Sequence, residues 1–337
     1  MKTVGMLRSI NKPGLVAKSV AYVCAHQHIP FYYFTPNDVN LDNTTINAKF
    51  LENGQWIHKT IPFPTVIDNE PINKTNKALY NVLKEHATFT TYPLGGKTKV
   101  FNLLYENEEK FKDVLIPFKI VENQYDVIDF IDKYQKILLK PSISNQGRDI
   151  VAIEKLKNGY HFINDTSIDL ISKVNFEAKL NELILSKKYI CQPFIHSKTK
   201  SGIPFDFRLH VRKKANGKWT KVKAYPRIGI EKNITANISQ GGAIASIVPF
   251  LKTQYPNDWR KIKNKIDIIC TNFPRNFEKL YPYPLDALGI DLGIDTEGKL
   301  WLFEVNTYPG QKFFEIESAE KRVDFYKYLL SQTTSNN

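Results

Sequence analysis

Residues 289–306 constrain the fold of this chain most strongly, because their pattern predicts a β-hairpin. In the first half of the segment apolar residues alternate with glycine and aspartate, which is typical of a half-buried strand. Residues 295–298, Asp-Thr-Glu-Gly, are typical of a turn, and the return strand over 300–305 is apolar at every position except Glu304. A four-residue turn over 295–298 would pair Ile294 with Lys299.

Three polar side chains of this predicted hairpin, those of Asp291, Glu304 and Asn306, would lie on one face. With the four-residue turn, the two carboxylates lie on a cross-strand diagonal of about 7–8 Å. Gly289 and Gly293 leave room on that face. Two carboxylates in a half-buried sheet repel each other unless a cation lies between them. One or two Mg²⁺ ions carrying nucleotide phosphates fit, because Mg²⁺ takes few protein carboxylates and completes its coordination with water and phosphate oxygens.

Other roles for these residues remain open on the pattern alone. Asp291 could be a surface charge, and Asn306 could cap a helix or a turn. A calcium-binding EF-hand loop is excluded, because its third position would be Gly293 and its sixth would be Thr296 instead of glycine. The three polar residues together favour a metal site more than any one of them does alone.

Together with this hairpin, four further stretches of the chain resemble the ATP-grasp ligases, in the same order. In that superfamily an Asp, a Glu and an Asn hold two Mg²⁺ ions, and the resemblance implies these roles for Asp291, Glu304 and Asn306. The D-alanine–D-alanine ligases, which are similar here, place the Asp and the Glu at the same separation. The resemblance implies an α/β (α+β) fold of the ATP-grasp type, with a small N-terminal α/β domain before the grasp.

The first of these stretches is a predicted strand over 137–139 that ends in Lys140 and Pro141 and is followed by a polar loop. A lysine at the mouth of such a loop can pair with phosphate while backbone N–H groups close over it. The resemblance implies that Lys140 contacts the nucleotide α- and β-phosphates. It also implies that residues 142–148, which include Ser142 and Gly147, form a mobile lid, although relatives carry more glycines here.

A second lysine is expected just before a predicted helix over 100–108. The resemblance favours Lys99 over Lys97 for contact with the nucleotide. A P-loop is rejected, because its pattern requires a glycine where the chain has Thr91.

An apolar segment over 189–195 resembles the hinge strand whose backbone binds the edge of adenine. The chain has glutamine at the position where many relatives have glutamate. The resemblance implies ATP contacts for Gln192, Pro193, Phe194 and Ile195.

The last stretch is an Asp-x-Arg strand, an arginine on the next strand and an Asn-x-x-x-Gly-Gly loop, which resemble the RimK-type ligases. Those enzymes couple an amino acid to a carboxylate. The combination is most similar to the YheC/YheD branch, known as endospore coat-associated proteins, except that the branch tends to have Glu where this chain has Ala287. The residues concerned are Asp206, expected to bind ATP, and Arg208, Arg227, Asn237, Gly241 and Gly242, expected to be catalytic.

The resemblance implies an ATP- and Mg²⁺-dependent ligase with a carboxylate substrate and an amine co-substrate, which could be an amino acid or a peptide. Acyl phosphate formation would precede attack by the amine. The alternatives are a ligase with a hydroxyl or thiol acceptor, and a nucleotide-binding or spore-coat structural protein without turnover. The intact Asp, Glu and Asn set argues against loss of activity.

With 337 residues, the chain exceeds what one hydrophobic core usually organises. We expect an N-terminal domain over 1–96, a central lobe over 97–195 and a C-terminal lobe over 196–337. A βαβ start, with its helix over 15–26, and a hairpin around Asn53-Gly54 are predicted for the first of these. A closing helix is predicted over 321–330.

The net charge of +13 predicts attraction to anions. The basic residues are scattered and no known nucleic-acid-binding module is present, which argues against a dedicated nucleic-acid-binding protein. The sequence shows no secretory signal and no apolar run of membrane-spanning length. Three cysteines without metal-like spacing predict reduced thiols and a cytoplasmic protein: Cys24, Cys191 and Cys270.

Overall fold

The computed structural model describes residues 2–71, 76–142, 149–164, 167–229 and 242–333. Within these ranges the strands form three sheets, and the helices pack between and around them. Among the helices described, none is both long enough and apolar enough to cross a membrane.

The N-terminal sheet is mixed. Its central strands are parallel and fully buried, as expected for a sheet that is covered on both faces. The predicted hairpin around Asn53 and Gly54 is confirmed, and both turn residues have positive φ values (49° and 81°), which a two-residue turn of this kind requires. The strands lie side by side in the order β3-β4-β2-β1-β6-β7, and β5 pairs with β4. Along the chain the elements are β1 (Val4–Leu7), α1 (Leu15–His26), β2 (Phe31–Phe34), β3 (Val39–Asn40), β4 (Thr45–Glu52), β5 (Gln55–Pro62), β6 (Val66–Asn69), α2 (Lys77–His86) and β7 (Thr88–Phe89).

The central sheet is antiparallel, and one of its faces packs against two helices through a separate apolar cluster. Its other face is turned towards the C-terminal sheet. The strands lie side by side in the order β12-β11-β10-β9-β13-β8. Along the chain the elements are α3 (Lys97–Tyr105), β8 (Lys119–Val121), α4 (Gln124–Tyr134), β9 (Lys136–Pro141), β10 (Val151–Leu156), β11 (Gly159–Ile163), β12 (Ile168–Ser172), α5 (Lys173–Ser186) and β13 (Tyr189–Pro193).

The C-terminal sheet is antiparallel, and its apolar face is covered by α7, whose buried residues recur every three or four positions. Helix α3 contributes Val100 and Leu104 to this same core. The strands lie side by side in the order β16-β15-β14-β17-β18. Along the chain the elements are β14 (Phe205–Lys213), β15 (Trp219–Ile228), β16 (Ala243–Ile244), α6 (Ile247–Gln254), α7 (Trp259–Glu278), β17 (Ala287–Ile294), β18 (Leu300–Thr307) and α8 (Glu315–Gln332).

The closing helix α8 begins earlier than the predicted start at residue 321 and packs against the N-terminal sheet and α1. Ala319, Val323 and Tyr326 share an apolar cluster with β1 and α1. Helix α8 therefore completes the apolar cluster beside the N-terminal sheet, and it packs segments from near the two ends of the chain against each other.

The register of the β17–β18 hairpin differs from the prediction. Ile294 pairs with Leu300, so the connection has five residues instead of four. An odd loop alone would have turned Glu304 to the wrong face, but a β-bulge at Phe303 adds one residue to β18 and restores the facing. As a result Asp291 lies directly opposite Glu304 and not on a diagonal, so the predicted four-residue turn and the predicted diagonal were both wrong, although the two carboxylates do share one face.

Candidate active site

A cleft of about 740 Å³ lies between the central and the C-terminal sheets. Most of the residues that the sequence singled out line it. They are Lys140, Gln192, Pro193, Phe194 and Ile195 in or next to the central sheet, and Asp206, Arg208, Arg227, Asp291, Glu304 and Asn306 in the C-terminal sheet.

Strand alternation produces the central wall of the cleft. Leu138, Lys140 and Gln192 point into the cleft, whereas Leu139 and Cys191 between them pack against α4 and α5 on the opposite face. Gln192 is fully buried, and neither atom of its side-chain amide has a hydrogen-bond partner among the described residues. A buried amide without partners is rare in native proteins, so a water or a ligand group would complete the hydrogen bonds of this side chain.

The Lys140 ammonium group is the buried cation of this wall. Burial lowers its pKa to about 8, against the opposing attraction of Glu304 and Asp291, while Lys97 lowers it further. A lysine with this pKa still carries its charge at neutral pH, and a ligand phosphate would stabilise the charged form.

The C-terminal wall carries a ladder of alternating charges on three neighbouring strands. Arg227 donates two hydrogen bonds of 2.7 Å to the carboxylate of Asp206, and its Nη2 lies 2.9 Å from Oδ2 of Asp291. Arg208 Nε lies 2.8 Å from Oδ1 of Asp291. The ladder places two guanidinium groups beside a carboxylate at the floor of the cleft.

Gly289 is required by this arrangement. A Cβ atom at that position would lie 2.2 Å from Nη1 of Arg208 and 2.9 Å from Cβ of Pro309. The missing side chain therefore lets the Arg208 guanidinium lie across β17 next to Asp291.

The donor set of the hairpin fits Mg²⁺ shared with a phosphate ligand. Asp291 Oδ1 has no hydrogen-bond donor among the described residues despite the nearby Arg208, because the two groups are poorly aligned. Glu304 lies opposite Asp291 and is about one-third exposed to the cleft, and Asn306 follows on the same face. No group of three or more His, Cys, Asp or Glu side chains in the described ranges could hold a metal. Two carboxylates and an amide suit an ion that takes its other ligands from water and phosphate.

The lysine of α3 that reaches the cleft is Lys97, not Lys99. Lys97 lines the cleft, and its Nζ lies 3.9 Å from Oε1 of Glu304. Lys99 is not among the lining residues, and its Nζ lies 5.9 Å from the ring centre of Tyr281. The helix begins at Lys97 instead of residue 100, and two residues further along a helix the side chain points about 200° away.

The remaining predicted residues fall outside the cleft or outside the described residues. Ser142 lines a smaller pocket of about 150 Å³ behind Glu304, together with Gly96. Gly242 is described but does not line the cleft. Gly147 and most of the expected lid, together with Asn237 and Gly241, lie outside the described residues.

Sequence reasoning missed several lining residues. Phe303 reaches the cleft because of the bulge, and its ring centre lies 5.6 Å from Nζ of Lys140. Tyr308, which has a positive φ of 52°, also lines the cleft, and the Arg8 guanidinium lies over its ring, 5.2 Å from the ring centre. Leu138 could have been found from strand alternation, since it lies two residues before Lys140.

Comparisons with known proteins agree with this architecture. The sequence model of a family described as YheC/D-like ATP-grasp matches residues 86–334. Endospore coat-associated protein YheD of Bacillus subtilis (strain 168) is 23% identical over 321 residues, which cover 89% of this chain and 70% of that protein. Endospore coat-associated protein YheC of the same strain is 22% identical over 325 residues, which cover 90% of this chain and 89% of that protein.

Solved structures share the fold at low sequence identity. The N5-carboxyaminoimidazole synthetase from Staphylococcus aureus, complexed with ADP, has a TM-score of 0.54 and 12% identity, over 96% of this chain and 76% of that one. A RiPP-associated ATP-grasp ligase from Chryseobacterium gregarium, in complex with ADP and a leader and core peptide, has a TM-score of 0.50 and 11% identity, over 100% and 98% of the two chains. The predicted ATP-grasp fold is confirmed.

Proposed function

Because the chain belongs to the YheC/D-like ATP-grasp family, we propose that it is an ATP- and Mg²⁺-dependent ligase that joins a carboxylate to an amine. In this reaction the substrate carboxylate attacks the γ-phosphate of ATP and forms an acyl phosphate and ADP. The amine then attacks the acyl carbon, an amide bond forms, phosphate leaves and the amine loses a proton. The amine is proposed to belong to an amino acid or a peptide.

The observation that carries this proposal is the arrangement of charge on the two walls of the cleft. Lys140 and Lys97 face Asp291 and Glu304 within one cavity, and the guanidinium of Arg208 lies beside them. Phosphoryl transfer depends mainly on positioning and on stabilising charge, and needs little covalent chemistry from the protein. This combination of cations and carboxylates is better suited to bind a nucleoside triphosphate with its metal ion than to bind a neutral ligand.

In the proposed mechanism the cations of the cleft bind different parts of the nucleotide. Lys140 and Lys97 would hold the α- and β-phosphates as charge-assisted donors. Arg208 and Arg227 would stabilise the γ-phosphate and the charge that develops on the acyl phosphate. Asn237 and the backbone of Gly241 and Gly242, carried over from the resemblance, would position the substrate carboxylate.

Asp291, Glu304 and Asn306 would hold Mg²⁺, which when bound neutralises the phosphates and aligns the attack. Both oxygens of Asp291 lie next to arginines in the ligand-free protein. Asp291 would therefore exchange these partners for the cation, and Arg208 and Arg227 would become available to phosphate oxygens. In this way nucleotide and metal binding would support each other.

Substrate-dependent release of ADP tests the proposed activity. The protein is incubated with ATP and Mg²⁺ and with pairs drawn from amino acids, acidic peptides and glycan acids. We expect at least one pair to raise ADP release and to give an amide product detectable by mass spectrometry.

The substitution Glu304→Gln tests the metal assignment, because it keeps the size of the side chain and removes its charge. We expect ADP release to fall by at least about 10²-fold, as for the loss of one preorganised electrostatic group. We also expect the dependence of ADP affinity on Mg²⁺ to weaken. Glu297→Gln is the matched control, since Glu297 is exposed in the turn of the same hairpin and outside the cleft. Unchanged ADP release in folded Glu304→Gln protein would overturn the assignment.

The alternative function is a protein that binds nucleotide without turnover. It is suggested by the names of the relatives, which are called endospore coat-associated proteins. Three results together would favour this alternative. The protein would bind ADP tightly, no substrate pair would raise ADP release, and Glu304→Gln would change nucleotide binding only.

A further inference from the structure

Helix α7 carries a line of exposed cations on the face that is turned away from the C-terminal sheet. The residues that it packs into the core below it are Ile262, Ile266, Cys270, Phe273 and Phe277. The cations on its opposite face, called the basic stripe, are Lys261, Lys265, Arg275 and, at the C-cap, Lys279. At about 100° and 1.5 Å per residue, they fall on one side of the helix over a length of about 27 Å.

Acidic side chains do not neutralise the basic stripe. Within the described part of the chain, none of its cations forms an ion pair, and the acidic residues of α7 have other partners. Asp267 pairs with Lys221 and Lys263, and Glu278 pairs with Lys213. The stripe also places like charges four residues apart, which destabilises a helix, so an anionic partner would relieve a repulsion that the free protein carries.

The basic stripe lies behind the C-terminal sheet and not in the cleft. Asp206 and Arg208 of β14 line the cleft, whereas Phe207 and Leu209 belong to the core that α7 covers on the other face of the sheet. None of the stripe residues lines the cleft. The partner of the stripe is therefore neither the nucleotide nor the reacting carboxylate.

The shape of this face suits a flat anionic surface. Helix α7 packs on the sheet along its length, so that one side of it is open to solvent. Ile268 lies in the middle of the stripe and is 56% exposed. Cations along a helix with an exposed aliphatic side chain among them are typical of segments that adsorb to anionic lipid headgroups.

A nucleic acid suits this face less well. Single strands are bound by stacking of the bases on aromatic side chains, and the stripe contains no aromatic residue. Phosphates of a duplex are contacted by charged and polar side chains, so Ile268 would add nothing to that contact. In the headgroup region of a bilayer the same isoleucine buries apolar surface.

We propose that the basic stripe of α7 binds the anionic surface of a phospholipid bilayer, with the cleft turned away from the lipid. The charges on the two sides are complementary, and each lysine or arginine near an anionic membrane adds to the attraction. This inference goes beyond the proposed ligase function and does not depend on it.

Co-sedimentation of the protein with phospholipid vesicles tests the inference. Vesicles of phosphatidylcholine alone are compared with vesicles in which about one-third of the lipid is phosphatidylglycerol. We expect the protein to bind the anionic vesicles and not the neutral ones. Binding should weaken as the salt concentration rises to about 0.5 M, because salt screens exposed charges.

A triple variant with Lys261→Gln, Lys265→Gln and Arg275→Gln tests the stripe itself, since glutamine removes the charges and is also a good helix former. We expect its partitioning onto anionic vesicles to fall by at least about tenfold. The matched control removes as many charges from exposed lysines in and around the central sheet, and carries Lys157→Gln, Lys173→Gln and Lys188→Gln. The control should bind the vesicles like the wild type, and circular dichroism checks that both variants are folded.

Three outcomes would overturn the inference. The wild type could fail to bind anionic vesicles, or the two triple variants could lose binding equally, which would assign the binding to net charge. The stripe could also bind a DNA duplex while the protein ignores vesicles, which would assign this face to nucleic acid. Should the triple variant not fold, Lys261→Gln with Lys265→Gln, compared with Lys157→Gln and Lys173→Gln, decides by the same criterion.

Discussion

At the scale of single residues, the cleft is a set of charges that pair with one another until a ligand enters. Arg208 and Arg227 form ion pairs with Asp291, and Lys97 forms an ion pair with Glu304. Lys140 differs, because burial dominates its environment and lowers its pKa to about 8. The charge of Lys140 is therefore sensitive to pH just above neutrality.

This pKa predicts how nucleotide binding responds to pH. Phosphate binds the charged form of Lys140, so binding raises its pKa and takes up a proton at pH values above about 8. We expect the affinity for ADP, measured without Mg²⁺, to fall as the pH rises from 7 to 9.5, by up to about tenfold per pH unit above 8. Titration calorimetry in buffers of different ionisation enthalpy measures both the affinity and the proton uptake.

Two variants separate Lys140 from other titrating groups. Lys140→Arg keeps its charge over this pH range, so its ADP affinity is expected to change little with pH. Lys140→Met should bind ADP weakly at every pH and take up no proton. A wild-type affinity that stays constant from pH 7 to 9.5 would contradict the role given to Lys140.

At the scale of elements, period-two patterns were enough to find the strands that carry the site, but not their register. The alternation in 289–294 predicted strand β17 and its polar face, and a helix predicted over 15–26 is α1. The bulge at Phe303 has no signature in sequence, because one extra residue in an apolar strand leaves its composition unchanged. The choice between Lys97 and Lys99 depended on where helix α3 begins, and helix ends are the least predictable part of a helix.

The bulge depends on a close fit between two strands. A Cβ atom at Gly293 would lie 2.0 Å from the Phe303 ring, so Gly293→Ala must displace this ring, whose centre lies 5.6 Å from Nζ of Lys140. We expect Gly293→Ala to lower ADP affinity by about tenfold and stability by about 1–3 kcal/mol, as for overpacking. In a Phe303→Ala background the same substitution should have almost no further effect, because the clash has been removed.

Gly14→Ala is the control for this pair, since a Cβ atom there would meet nothing within 4 Å. Its ADP affinity should equal that of the wild type. If Gly293→Ala lowered ADP affinity equally with and without Phe303, the ring would not be the group through which the glycine acts.

At the scale of the whole molecule, buried charges connect the two ends of the chain. Asp68, at the end of β6, accepts a hydrogen bond of 2.8 Å from Arg8 and further hydrogen bonds from Arg322 and Tyr326 of α8. A second buried pair, Arg212 with Asp286 at 3.1 Å, lies at the C-terminal sheet. Such contacts between distant segments have no local pattern, so the sequence predicted the closing helix but not the surface on which it packs.

The Asp68 cluster is expected to dominate the stability of this junction. Burial alone would raise the pKa of Asp68, but Arg322 and Arg8 outweigh it and hold the pKa below its usual range. The stabilisation is therefore complete above the unfolded-chain value of about 3.9, and it is lost as the pH falls towards the lower value of the folded protein.

Asp68→Asn tests this account, because it leaves the buried guanidinium groups of Arg8 and Arg322 without a counter-charge. We expect it to lower the free energy of unfolding at pH 7 by about 3–5 kcal/mol, as for a broken buried ion pair. Asp267→Asn is the matched control, since Asp267 pairs with two lysines at the surface and should cost less than about 1 kcal/mol. Urea unfolding followed by circular dichroism measures both variants. Equal losses would mean that the charges between α8 and the N-terminal sheet contribute no more than surface pairs, and that the apolar contacts of Val323 and Tyr326 alone hold the ends of the chain together.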